Sequence, residues 1–185
     1  MKFSWKKLVL IIIAIALVAA VIIYFARIKG KESTYEEYEP EEEISEEQER
    51  QTMISLYFIN KTSREVEPEA RLIDVKELIS DPYTVIVNML IDGPRSDNHE
   101  KAIPEGTILI GANMEADTLK LNFSSEFIDN HKGGKEEEEK TIESIVNTVT
   151  ELTEVNSVRI LINGEENQQF KDGEVSFSQN FIRND

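Results

Sequence analysis

KTIESIVNTVTELTEVNSVRILING, residues 140–164, carries two hydrophobic periods in succession, and that change of period decides the fold. In its first half Ile142, Ile145, Val146, Val149 and Leu152 recur at helical spacing, within roughly 120° of one another, as a core-facing stripe. Glu143, Asn147, Thr150 and Glu151 take the wetted side. The period then drops to two: Val158, Ile160 and Ile162 point one way and Arg159 the other. That strand closes on Asn163-Gly164, a favoured tight-turn pair. An amphipathic helix running straight into a strand needs a sheet to lie on.

The flanking segments supply one. Ile54, Leu56 and Phe58 alternate with Ser55 and Tyr57 as a first strand, and Leu72, Ile73 and Val75 read as a second. Asp81 is placed to cap a helix, Pro82 suits its first position and Gly93-Pro94 stops it. Within it Tyr83, Ile86, Val87 and Leu90 repeat at i, i+3, i+4, i+7, with Val85 and Met89 widening the stripe. The loop GPRSDNHEKAIPEGT, residues 93–107, is long for a compact domain, which marks function or mobility, and Ile103-Pro104 pins it to the core. Ile108, Ile110, Ala112 and Met114, then Leu119, Leu121 and Phe123, form a hairpin about a turn near residues 115–117.

Gly133-Gly134 breaks the chain before the second helix, and Glu136 to Glu139 sit at that helix's N-terminus, where negative charge is favoured. After Gly164 the tail holds Phe170, Val175, Phe177, Phe181 and Ile182, with a turn at Asp172-Gly173; one short edge strand and a loose end are expected. This order predicts an α+β two-layer sandwich, a mixed, mostly antiparallel sheet with two helices on one face. The other face carries Ser55, Tyr57, Lys120, Asn122 and Arg159 and is open to a partner. Substituting Arg159 or Tyr57 is then expected to weaken partner recovery without unfolding the domain.

Ahead of this domain, Leu8 to Ala26 is an uncharged run of 19 residues, about 28 Å as a helix and enough to cross a hydrocarbon core. A cleaved signal peptide is the alternative, with Ala14, Ala16, Ala19 and Ala20 as small residues, but the apolar run outlasts a usual signal core. Lys2, Lys6 and Lys7 precede the run and Arg27, Lys29 and Lys31 follow it, so flanking charge gives a near tie. Residues 1–7 are read as a cytoplasmic N-terminus, 8–26 as a single-pass transmembrane anchor, and the C-terminal domain as extracytoplasmic. Residues 27–50 read as an acidic disordered linker: from Glu32 to Arg50 there are ten glutamates and one basic residue. A solvated spacer is expected there ahead of a binding tail for a basic partner. The domain occupies 51–185.

A formal charge of −16 argues against nucleic acid as a partner, since phosphate binding needs clustered Lys and Arg. Without cysteine there are no disulfides, thiol chemistry or Cys-linked lipid anchors. No nucleophile triad, phosphate loop or His-x-x-x-His pair is present. Paired carboxylates can be drawn from Glu126 and Asp129 or from Glu136–Glu139, but nothing marks a buried, perturbed acid. His99 and His131 read as loop residues with no ligand cluster around them, and the acidic runs lack a dedicated calcium-loop pattern. No enzyme activity, catalytic residue, metal or cofactor is expected.

Three signatures in order resemble the GerMN domain of spore germination and sporulation proteins. They are MLIDGP with IPEGT downstream (Met89–Pro94, Ile103–Thr107), LNFSSEF (Leu121–Phe127) and IVNTVTELTEVNSVRILING (Ile145–Gly164). The opening ISLYFIN and closing GEVSFSQNFIR are also similar, so the likeness runs from about Met53 to Arg183 and covers the domain at 51–185. The resemblance implies a non-catalytic extracytoplasmic module, similar in fold to the ring-building motifs of secretion and sporulation channels, with a role in the complex joining mother cell and forespore or in germination. It supplies no catalytic residues. Many relatives carry a lipidated cysteine, two copies of the domain or an accessory domain, whereas this chain has a hydrophobic span and one copy. The expected partners are other envelope or sporulation-complex proteins, or further copies of the chain. A small-ligand or cell-wall glycan module using the 93–107 loop is the alternative, and an aromatic-lined pocket would favour it; a hydrolase would need buried carboxylates facing a cleft.

Overall fold

The computed structural model describes residues 5–29, 50–171 and 173–184, which belong to two compact units divided between residues 43 and 44. The first contains helix α1, Trp5–Lys29. Ile15, Leu17, Val18, Ile22 and Phe25 are all exposed on it, so it buries no stripe of its own. Among the described residues no helical stretch is long and apolar enough to cross a membrane; the described side chains cover only part of the uncharged run at 8–26. Residues 1–4 of the expected N-terminal segment and 30–49 of the expected acidic linker lie outside the described residues.

The second unit runs β1 (Gln51–Asn60), β2 (Val66–Asp74), α2 (Val75–Ser80), α3 (Pro82–Asp92), β3 (His99–Glu100), β4 (Leu109–Glu115), β5 (Thr118–Phe123), α4 (Glu126–Asp129), α5 (Lys135–Val149) and β6 (Ser157–Ile162). It is α+β with mostly antiparallel pairing, as expected, and its strands form two three-stranded sheets, β2-β1-β3 and β4-β5-β6. Only β5 and β6 pair in parallel, joined by the α4–α5 crossover that such a pair requires. The sheets stay separate because β1's second edge is closed by short β3 and by side chains of α5. The Tyr57 amide donates to Thr148 Oγ1 at 2.9 Å, and Ser144 Oγ donates to the Tyr57 carbonyl at 2.6 Å. Two hydroxyls one helical turn apart thus do the work of a neighbouring strand.

One core serves both sheets. Leu56 and Phe58 of β1, Ile86, Val87 and Leu90 of α3, and Ile142, Ile145, Val146 and Val149 of α5 join Leu119, Leu121, Phe123, Val158 and Ile160 in it. Asp81 caps α3 through Thr84 N and Pro82 opens it, as the sequence predicts. Asn163 and Gly164 take φ of 50° and 83°, the left-handed pair that an Asn-Gly turn supplies.

Four expectations are corrected. Strand β2 starts at Val66, and Val75 opens helix α2 instead of ending the strand, because the Asp74 side chain accepts from Lys76 N and caps it. Ile108 and Ile110 are exposed, not core: the β4–β5 register slips between Leu109 and Gly111, a bulge that turns them outward, while Ala112 and Met114 pack inward. Glu138 is fully buried within α5, its Oε2 accepting from Val175 N at 2.9 Å. The tail is not loose, since Phe170 and Phe177 are buried against Phe127 with ring centroids 5.4 and 6.0 Å away, and Phe181 and Val158 exchange two 2.8 Å backbone bonds.

Candidate interaction surface

The five residues expected to share a polar sheet face do not form one surface. Ser55 and Tyr57 belong to the first sheet, while Lys120, Asn122 and Arg159 belong to the second. All are half-buried and engaged within the molecule. Tyr57 donates to Glu151 Oε1 at 2.9 Å, and Arg183 bonds both that carboxylate (2.8 Å) and the Tyr57 hydroxyl (2.7 Å) while lying 5.2 Å over the Tyr57 ring. Burial and the Glu151 carboxylate raise the Tyr57 hydroxyl above its ordinary range, so it stays protonated as a donor. Arg159 donates to Asn180 Oδ1 at 2.7 Å and to the Ser178 carbonyl at 3.0 Å. Asn122 Oδ1 receives Gly164 N, and Lys120 pairs with Glu115 at 2.9 Å and Glu166 at 3.4 Å. Tyr57 and Arg159 hold the tail in place, so substituting either loosens the tail as well as any contact surface.

The 93–107 loop is likewise held from within. Glu69, its side chain 11% exposed, receives Arg71 Nε at 2.5 Å, the amides of Arg95 (2.9 Å) and Ser96 (3.0 Å), and His99 Nδ1 at 3.1 Å. Burial opposes the carboxylate's charge, but those amides, His99 and Arg71 outweigh it and hold the Glu69 carboxyl at about 2. Arg71 continues to the Gly93 carbonyl at 2.7 Å, and Lys101 lies so close over Gly93 that a Cβ there would meet it at 2.6 Å. The loop therefore wraps a buried ion cluster at the end of the first sheet. Beside it is a pocket of about 290 Å³ whose lining includes Ile103, Pro104, His131, Lys132 and Thr141, and no Phe, Tyr or Trp. Gly133 N donates to His131 Nδ1, leaving Nε2 to donate to Thr141 Oγ1 at 2.9 Å, and the ring lies 4.3 Å from that of Phe170. His99 lies 6.5 Å from the Phe58 ring. Each histidine thus packs against a core phenylalanine.

The carboxylate pairs are oriented otherwise than an acid catalyst requires. The Ser124 hydroxyl holds Glu126 below the ordinary range and Lys140 does the same to Glu136, whereas a general acid needs a raised value. Among the described residues no group of three His, Cys, Asp or Glu is placed to hold a metal ion.

What remains open is the outer face of the β1–β2 ribbon. Its cross-strand pairs are Met53–Leu72, Ser55–Ala70 and Tyr57–Pro68, six residues without a charge in a chain of net charge −16. Met53 is 67% exposed and Leu72 56%, directly opposite one another. Periodicity marks these positions as a strand's solvent side, where polar residues are the rule; their lack of charge is the signal that sequence reading passed over. On β2, Pro68 offers no amide to an incoming strand, so the face is the better contact and the edge the poorer one.

A family model described as sporulation and spore germination, Germane, matches residues 55–168. The fold is similar to a structure of the tandem GerMN domains of the sporulation protein GerM from Bacillus subtilis, at 22% identity and TM-score 0.61, covering 74% of this chain and 47% of that one. It is also similar to the first GerMN domain of that protein, at 24% identity and TM-score 0.61, covering 72% of this chain and 99% of that one. The chain thus spans about half the length of the tandem structure. No significant match occurs among curated proteins.

Proposed function

The chain belongs to the Germane family of sporulation and spore germination, and on that footing we propose that it is a non-catalytic protein-interaction module of the bacterial cell envelope, anchored in the membrane. The uncharged run at 8–26, over which the backbone of α1 is continuous, supports the anchor. In this reading the N-terminus is inside and the family domain outside, spaced from the bilayer by the glutamate-rich segment. Its partners are other envelope or sporulation-complex proteins, or further copies of the chain.

The observation that carries the interaction reading is the uncharged Met53–Leu72 face. Water-exposed apolar side chains gain about 25 cal/mol for each Å² that a partner covers. A face free of charge also lets a partner approach without desolvating carboxylates. The small-ligand reading draws less support, because the loop's pocket lacks aromatic lining and its walls are tied to one another.

The test is photo-crosslinking in the producing bacterium, with a benzophenone side chain at position 72 or 53 and a control at Lys132. Discrete adducts from 53 and 72, absent at 132 and lost in Leu72→Glu or Met53→Glu with the domain still folded, are the expected result. Equal adducts at all three positions would refute the assigned face. A tag at Asp185 digested by protease on intact spheroplasts supports the orientation, and protection overturns it.

A further inference from the structure

We propose that the groove between α5 and the C-terminal tail receives a basic amphipathic segment of a protein partner. This rests on the interaction-module reading and names the chemistry of one partner. The groove encloses about 710 Å³. Its floor is apolar: Ile142 and Val146, one turn apart on α5, meet Val175 and Phe181 of the tail, and Ile182 stands 66% exposed at the rim. Carboxylates occupy both walls, Glu139 and Glu143 on successive turns of α5 and Glu174 on the tail.

Nothing within the molecule neutralises that rim. Glu143 and Glu174 have no ion-pair partner among the described residues, and Glu139 has only Lys135 at 3.8 Å. The nearby cation, Arg159, is committed to Asn180 and Ser178. Both walls are fixed before any ligand arrives. The hydroxyls of α5 lock it to β1, and the tail is held by the Phe181–Val158 pair of bonds and by Arg183 on Glu151. A preformed apolar floor between two rows of unpaired carboxylates matches a helical segment that presents an apolar stripe flanked by Lys or Arg. An acidic segment is repelled, and an uncharged one leaves the carboxylates unmatched.

Because the chain has no cysteine, Ile182→Cys gives one labelling site on an exposed side chain. The full chain, labelled there with bimane in nanodiscs of neutral lipid, is titrated with a short Lys/Leu amphipathic peptide, its Glu/Leu counterpart and empty-disc controls. The expected result is a saturable blue shift with the Lys/Leu peptide alone, weakened about tenfold by Glu143→Gln with Glu174→Gln and reduced at high salt. Near-UV circular dichroism verifies that these variants fold. Equal affinity in the double variant, an equal response to the Glu/Leu peptide, or no saturable response at position 182 overturns the groove. If a Leu72→Cys label responds while position 182 does not, the groove falls but the interaction-module reading stands.

Discussion

Replacing Glu69 by Gln tests whether the ion cluster beneath the 93–107 loop stabilises the domain. The change keeps the shape and removes the charge that Arg71, Arg95 N, Ser96 N and His99 converge on. Folding holds the Glu69 carboxyl at about 2, against 4.5 in the free side chain. That difference spans roughly 3 kcal/mol at full strength, and solvent screening at this near-surface site reduces the expected loss to about 2 kcal/mol. It also leaves the buried Arg71 guanidinium with the Gly93 carbonyl but no counter-charge, a change in the same direction. For a domain of this size about 2 kcal/mol lowers Tm by roughly 8 °C. The lone tryptophan, Trp5, lies in the other unit, so near-UV circular dichroism of the tyrosines is the suitable readout. The depressed carboxyl makes its contribution in full above pH 4.5 and loses it as pH falls through about 2. The gap between wild type and Glu69→Gln should therefore be widest at pH 7 and less than half as large by about pH 3. A variant melting within about 2 °C of wild type at pH 7, or a gap indifferent to pH, would refute the reasoning.

Two further substitutions probe the fold. Thr148→Val keeps the branched shape but strands the Tyr57 amide, which should cost about 1–3 kcal/mol and speed hydrogen exchange at Tyr57 more than at Leu119. Phe177→Ala removes a fully buried ring that packs on Phe170 and Phe127, and should cost about 3–5 kcal/mol in denaturant melts; a loss below about 1 kcal/mol would return the tail to a loose end.

Local periodicity was sufficient where one face is buried and the other wet. The α5–β6 stretch reads correctly for that reason, as does α3 with its Asp81 cap and Pro82 start. Glu138 was legible but overlooked: it lies four residues before Ile142 and seven before Ile145, in phase with the buried stripe. Strand β2 hides its inward side because Glu69 and Arg71 satisfy each other there, so a core-facing row looks like a solvent row. No period could reveal the bulge at Ile110, since one extra residue inverts the sides of everything before it. The tail's rings are placed by distant partners, with no repeat of their own. The carboxylate-lined groove was illegible for the same reason, because its two walls lie on opposite sides of β6 in the chain.

The hydroxyl contacts between α5 and β1 make the position of that helix a discrete variable. A slide by one turn, about 5.4 Å, would bring Ser144 to the post now held by Thr148 and ask a residue one turn earlier to replace Ser144. Thr141 is the nearest hydroxyl on that turn, and it is already committed to the Ala102 and Glu137 carbonyls at 2.9 Å. The ratchet therefore has one tooth. A force arriving along the tether or through a bound partner meets a rod that holds its notch or lets go altogether, with no intermediate detent to absorb the pull.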